Sequence, residues 1–370
     1  MPQPILKSIP ESSNIIMKKI SDINSQVLAN FRQGVVIPAQ PLALDEHRHF
    51  SPKHQRALCR YYMDAGVGGI AVGVHSTQFA IRDPKIGLFE PVLSQTSAFI
   101  DQWAESTGRR ILKVGGICGK TDQALREAQF ECDHGYDAGL LSLAAFANAS
   151  DEEMLAHCRA VAQVMPIIGF YLQPSVGGRL LPYSFWREFA TIDNVLAIKV
   201  APFNRYASLD VARAVAESGR NDLTLYTGND DNILADLLTE YRVGGRSVRF
   251  RGGLLGHWCC WTKSAVELLQ KVRSIVDSHS PIPLELLALA PQITDMNAAI
   301  FDPQHGFAGC IPGIHEVLHR QGLLPGIWCL DPNETLSPGQ ADEISRVHNA
   351  YPHLHDDAFI AANLSRWMQD

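Results

Sequence analysis

A charge at the end of an apolar run is costly, and Lys199 stands in such a place, closing NVLAI within NVLAIKVAP (194–202). A continuous apolar run of this kind reads as a strand buried on both faces. An ammonium carried there loses hydration, its pKa falls, and more of it is free amine near neutrality. Such an amine attacks ketones to form a Schiff base. A lysine that snorkels its head to a rim shares the pattern. Tyr171 stands near the end of the preceding apolar run, PIIGFYLQP (166–174), 28 residues before Lys199 (199 − 171), which is one strand–helix unit. Adjacent strands lie about 4.8 Å apart. Phenol and amine are therefore expected to meet, the phenol shuttling protons during carbinolamine formation and carbon–carbon cleavage. The competing reading is a core tyrosine whose hydroxyl bonds backbone.

The elements that must position this pair recur along the chain. Short apolar runs at 34–44, 68–75, 110–117, 138–146, 166–174, 194–202, 223–228 and 252–257 alternate with helical stretches. Ser51 with Pro52 opens one helix, and Ser150 with Glu153 forms a capping box for another. Eight strand–helix units in one stretch predict a closed (β/α)8 TIM barrel rather than an open sheet. Catalytic groups of a barrel sit at the C-terminal ends of its strands. That places Asn229 and Asp230, after the seventh strand, and His257, after the eighth, at the same mouth as Lys199. A helix N-cap is the plainer role for Asn229 or Asp230. Three segments are expected: a lead-in over 1–33, the barrel over 34–279, and a helical C-terminal extension over 280–370, one helix opening at Ser337-Pro338 with Gln340.

Charge and composition narrow the function. A net charge of −7 and 19% charged residues carry no concentrated basic surface for nucleic acid. No apolar run is long enough to span a membrane, the N-terminal residues lack a signal-peptide pattern, and eight cysteines without C-x-x-C pairs fit reduced thiols, so a cytoplasmic protein is expected. EHRH (46–49) and HLHDD (353–357) hold metal-ligand letters without an H-E-x-x-H spacing, and no metal is assigned. VGGR (243–246) and RGG (251–253) match no phosphate-binding loop, and the arginines at 242, 246, 249 and 251 read as a solvated loop; no cofactor is expected.

GFYLQP followed by AIKVA at this spacing resembles the dihydrodipicolinate synthase and N-acetylneuraminate lyase family, whose members carry a Y-N-x-P strand and, one unit later, the strand of the Schiff-base lysine. GVGGIAVGVHSTQFA (66–80) and DNILADLL (231–238) are similar to the family's second strand with its carboxylate-binding loop and to its seventh unit. The resemblance runs from about Gly34 to Ala265 and implies a barrel, a lysine Schiff base and a dimer or tetramer. It implies that His75, Ser76 and Gln78 form the 2-keto acid carboxylate loop, with His75 where the family has a threonine. Two positions depart from it. Phe146 stands where the synthases carry a proton-relaying tyrosine, and Val176 where they carry an arginine that binds the second substrate's carboxylate. Arg179, three residues on, is the candidate replacement.

The resulting expectation is a class I lyase acting on pyruvate or a related 2-keto acid and an aldehyde. Dehydration of a sugar acid through the same lysine intermediate is the alternative, followed by a barrel that binds a keto acid without turnover and by a metal-dependent enzyme using the histidines. On the family's pattern, the losses at Phe146 and Val176 predict a poor dihydrodipicolinate synthase.

Overall fold

In a computed structural model that describes residues 17–369, the β-branched and aliphatic runs form eight parallel strands. These are β1 (Val36–Pro38), β2 (Gly69–Val72), β3 (Leu112–Ile117), β4 (Ala138–Leu141), β5 (Ile167–Leu172), β6 (Val195–Ala201) and β7 (Thr224–Thr227), then an antiparallel hairpin of β8 (Tyr241–Val243) and β9 (Arg246–Val248), then β10 (Phe250–Leu255). The sheet order is β1-β10-β7-β6-β5-β4-β3-β2. A parallel bridge between Ala39 and Ala71, with hydrogen bonds from Gly68 N to Val36 O and from Gln40 N to Ala71 O, joins the last pair and closes the barrel.

The helices follow the predicted caps with some substitutions of detail. Ser150 accepts from the backbone N–H of Glu153, and the Glu153 carboxylate accepts from that of Ser150, as a capping box requires. Ser51 does not cap its helix through its hydroxyl, which instead bonds His54 Nδ1 at 2.8 Å, and Pro52 starts that helix. Gly244 and Gly245, both at positive φ, make the two-residue turn of the β8–β9 hairpin. The basic segment expected to be a loop is thus a short sheet of its own, with Arg242 and Arg249 paired to Glu240.

Two apolar clusters hold the barrel. One joins strand residues with the helices over Pro52–Ala65 and Thr262–Asp277 and with the C-terminal helices; the other includes an outer layer between strands and surrounding helices, to which Phe185, Trp186 and Phe189 belong. The helix over Ser25–Gln33 in the lead-in buries Val27 and Phe31, and Phe31 stacks on Tyr226 of β7 with ring centroids 4.5 Å apart. Helices over Leu284–Phe301, Cys310–Arg320, Gln340–Ala350 and Asp357–Trp367 follow the barrel. Among the described residues no helix is long and apolar enough to cross a membrane.

Candidate active site

Lys199 lies in β6, and its register partners are Phe170 of β5 and Tyr226 of β7. Paired residues of neighbouring strands point to the same face, so this set faces the barrel interior, and the Lys199 ammonium rests 4.3 Å from the centre of the Phe170 ring. Gly228 gives it room: a Cβ there would come within 2.7 Å of Lys199 Cε. The residue is only 8% exposed, and among the described residues its Nζ has no hydrogen-bond acceptor. Burial pulls its pKa down, and Asp230 and Cys259 oppose that pull without cancelling it.

Lys199 opens into a cavity of ≈ 60 Å³ at the C-terminal ends of the strands. Asp230, His75, Ser76 and Gln173 supply its other polar groups. Asp230 is buried, and burial raises its carboxyl pKa against the lowering effect of a hydrogen bond from the His257 backbone N–H (2.9 Å) and of Lys199. A carboxyl that can be protonated and an amine that can be neutral therefore share one dry space. His75 is pushed down to about 4, by burial first and by Lys199 second, so its ring is neutral across physiological pH. It opens a short 3-10 turn, His75–Thr77, braced by Thr77 Oγ1, which donates to Gln40 O and accepts from the N–H groups of Gly73 and Val74. Among the described residues the backbone N–H groups of His75 and Ser76 donate to nothing, which leaves two donors at the cavity wall. The Ser76 hydroxyl donates to Ala39 O.

Tyr171 is not brought to Lys199. It pairs with Val200, packs in the outer layer 5.1 Å from the Trp186 ring, and both donates to Leu181 O (3.2 Å) and accepts from Leu181 N (3.1 Å). The cause is a register shift. Ile167 pairs with Val195 at an offset of 28 residues, but Ile168 pairs with Ala197 and Phe170 with Lys199 at an offset of 29. One extra residue in β6 moves the opposite set of β5 side chains to the lysine's face. Phe170 thus holds the place expected for Tyr171, and the 28-residue spacing alone could not reveal it.

Other expected residues divide in the same way. Gln78, in the left-handed region at φ 68, accepts from Leu330 N at 2.6 Å and pins the C-terminal extension outside the cavity. Arg179 is spent on the carbonyls of Phe146, Ala147 and Ala149, 3.9 Å from the Asp151 carboxylate, and does not replace a clamp at Val176. Val176 itself lines the cavity; Phe146 instead packs against His157, 4.4 Å between rings. Asn229 braces the loop by donating to Asp236 and Ser208 and accepting from Phe203 N. His257 is buried behind Asp230, and burial lowers its pKa to about 4. No motif pointed to Phe203, Phe301, Phe307 and Ile314, three of them from the C-terminal extension, which make the rest of the wall apolar. Phe203 and Phe307 both sit at positive φ and meet edge to face, 5.9 Å apart.

Comparison with known proteins agrees with this architecture. The chain aligns with 4-hydroxy-tetrahydrodipicolinate synthases of Cyanothece sp. (28% identity over 144 residues, 38% of this chain and 47% of that one) and Synechocystis sp. (28% over 152 residues, 40% and 47%). It spans about half the length of these curated relatives. Its fold is similar to that of YagE, an Escherichia coli K12 prophage protein of the dihydrodipicolinic acid synthase family solved with pyruvate (TM-score 0.69, 16% identity, 86% of this chain and 98% of that one). It is likewise similar to the dihydrodipicolinate synthase of Acinetobacter baumannii solved with pyruvate (TM-score 0.68, 17% identity, 88% and 99%). The model of the dihydrodipicolinate synthetase family matches residues 34–249, from the first strand to the hairpin before the last, and the chain belongs to that family.

Proposed function

We propose that this protein is a Schiff-base-forming lyase that joins, or separates, a small 2-keto acid and an uncharged, largely apolar aldehyde. One observation carries the proposal: a buried lysine that has no hydrogen-bond acceptor among the described residues faces a carboxyl of raised pKa inside a cavity at the barrel mouth. The Lys199 amine attacks C2 of the keto acid, and the carbinolamine loses water to give an iminium. The iminium draws electrons from C3, which gives up a proton and becomes the enamine carbon. That carbon attacks the aldehyde carbonyl, whose oxygen takes a proton, and water then hydrolyses the imine to release product and restore the amine. Asp230 is the group we assign to proton transfer at the amine, in the place expected for Tyr171. The unpaired N–H groups of His75 and Ser76 serve the keto acid carboxylate. The aldehyde class follows from the wall: among the described residues Lys199 and Asp230 are its only Lys, Arg, Asp or Glu side chains, and Leu172, Val176, Phe203, Phe301, Phe307 and Ile314 make up much of the remainder. A charged acceptor would be desolvated there without a partner.

Borohydride reduction in the presence of pyruvate tests the first half. The peptide containing Lys199 should gain the reduced adduct, and no adduct at that residue with any of several 2-keto acids would end the proposal. A panel of aldehydes tests the second half. Turnover with aromatic or branched aliphatic aldehydes should exceed that with aspartate semialdehyde by roughly tenfold or more, the cost of an unpaired substrate carboxylate. The opposite ranking would show that the apolar wall does not choose the substrate.

A further inference from the structure

The geometry points to a zinc-type divalent metal site built from His348, His355 and Asp357, in the C-terminal extension and away from the barrel mouth. The three residues come from three pieces of chain: the last turn of the helix over Gln340–Ala350, the connection after it, and the first residue of the helix over Asp357–Trp367. One ligand atom from each lies within 4.8 Å of the other two. The imidazoles stack almost parallel, with centroids 4.3 Å apart and planes 9° from one another, and both address the same carboxylate oxygen.

Hydrogen bonding leaves this cluster incomplete. His348 Nε2 meets Asp357 Oδ2 at 2.6 Å, but His355 Nδ1 stops 3.6 Å from that oxygen. That is too long for a hydrogen bond. His355 Nδ1 is nevertheless buried and, among the described residues, has no other hydrogen-bond partner. A metal about 2.0–2.1 Å from each of two tetrahedral ligands separates them by about 3.3–3.5 Å. The 3.6 Å gap has that size; to seat a metal the closer His348–Asp357 contact opens by less than about 1 Å and the stacked imidazoles turn until their in-plane lone pairs converge. The Gln321 amide donates to Asp357 Oδ1 at 2.7 Å, which fixes the carboxylate and leaves Oδ2 turned to the imidazoles.

The other charges nearby do not compete for the same position. Asp356 is occupied by the Tyr61 hydroxyl and the Lys263 N–H. His353 bonds Gln292, and the Arg320 guanidinium is held by Glu316, Ser345 and Ala341. His348 and Asp357 also line a cleft of ≈ 530 Å³, so a fourth coordination position would be open to water or a small ligand. Two imidazoles and one carboxylate with an open position suit zinc and its first-row neighbours rather than magnesium or calcium.

The test uses the full chain, freed of metal by dialysis and titrated with zinc chloride against a competing indicator. One zinc per chain is expected, with a rise in Tm that magnesium does not give. His355→Ala and Asp357→Asn should each weaken binding by more than about tenfold, since even outer partners of a metal cost that much. His348→Gln, which retains a donor toward Asp357, should also lose the zinc while keeping the metal-free Tm. Cobalt in place of zinc should show no thiolate charge-transfer band, which separates this site from the eight cysteines. Absence of binding, equal binding by the variants, or a thiolate band would each overturn the inference. Borohydride trapping at Lys199 is independent of it.

Discussion

Lys113 and Lys199 are buried to the same extent, 8% exposed each, and both belong to strands of the barrel. Their surroundings are opposite. Lys113 of β3 reaches the helix over Phe89–Thr107, where its ammonium donates to Ser97 Oγ at 3.0 Å and to both oxygens of Asp101 at 2.8 and 2.9 Å. Lys199 of β6 points inward, finds an aromatic face and a carboxyl whose own pKa burial raises, and has no acceptor among the described residues. An ammonium whose donors find no acceptor in a dry setting is easier to deprotonate. Burial alone therefore does not mark a nucleophile. Burial with the hydrogen-bond partners withheld does.

The largest effect should separate the two lysines outright. Lys199→Met should abolish the borohydride-stable adduct and lower turnover by about 10⁴-fold or more, the scale for loss of a covalent nucleophile. It should change the Tm little, because Lys199 gives up no hydrogen bond among the described residues and the buried Asp230 carboxyl, already raised in pKa, can take up a proton when the ammonium is gone. A persisting adduct would place the nucleophile elsewhere. Next comes Asp230→Asn. Asp230 raises the Lys199 pKa through its charge. Without that charge the amine loses its proton at lower pH, so the acid limb of the pH profile for adduct formation should move to lower pH. Turnover should nevertheless fall by roughly 10²–10⁴-fold as proton transfer is lost. A limb that moves to higher pH would contradict the coupling. The third test is Lys113→Met, which should keep the adduct and turnover while urea denaturation shows a loss of about 1–3 kcal/mol. The loss is held to that range because the Asp101 side chain is 57% exposed and can rehydrate.

What the sequence made legible follows the same physics. The parallel barrel was readable because strands buried on both faces are apolar throughout, and Lys199 because a charge interrupts one of them. The wall contributed by Phe301, Phe307 and Ile314 was not, since those residues lie 102 or more positions beyond Lys199 and carry ordinary core letters. Arg179 and Gln78 enter through the family resemblance, and an aligned position does not say whether a long polar side chain will be spent on the backbone carbonyls and N–H groups of a nearby loop. His348, His355 and Asp357 show the converse. HLHDD holds two of the three, and the helix end that brings in His348 is visible only in three dimensions.

The smallest expected effect is at Tyr171, and it tests the register argument itself. From spacing alone, Tyr171→Phe should cost roughly 10²-fold in turnover, as befits a general acid–base residue. The structure points elsewhere. The phenol is bonded on both sides to Leu181 and lies in the outer layer, so the substitution removes one buried hydroxyl and leaves the Leu181 N–H and carbonyl without their partner. That should cost about 1–3 kcal/mol of stability, with less than about tenfold change in turnover and an unchanged pH profile. Phe170→Ala, on the neighbouring residue, should do the reverse. It removes the ring against Lys199, admits water beside the ammonium, and should raise the pH at which adduct forms. If Tyr171→Phe instead slowed turnover 10²-fold at constant stability, β5 in the working enzyme would have to sit one residue along β6 from the pairing described, with the phenol turned into the barrel.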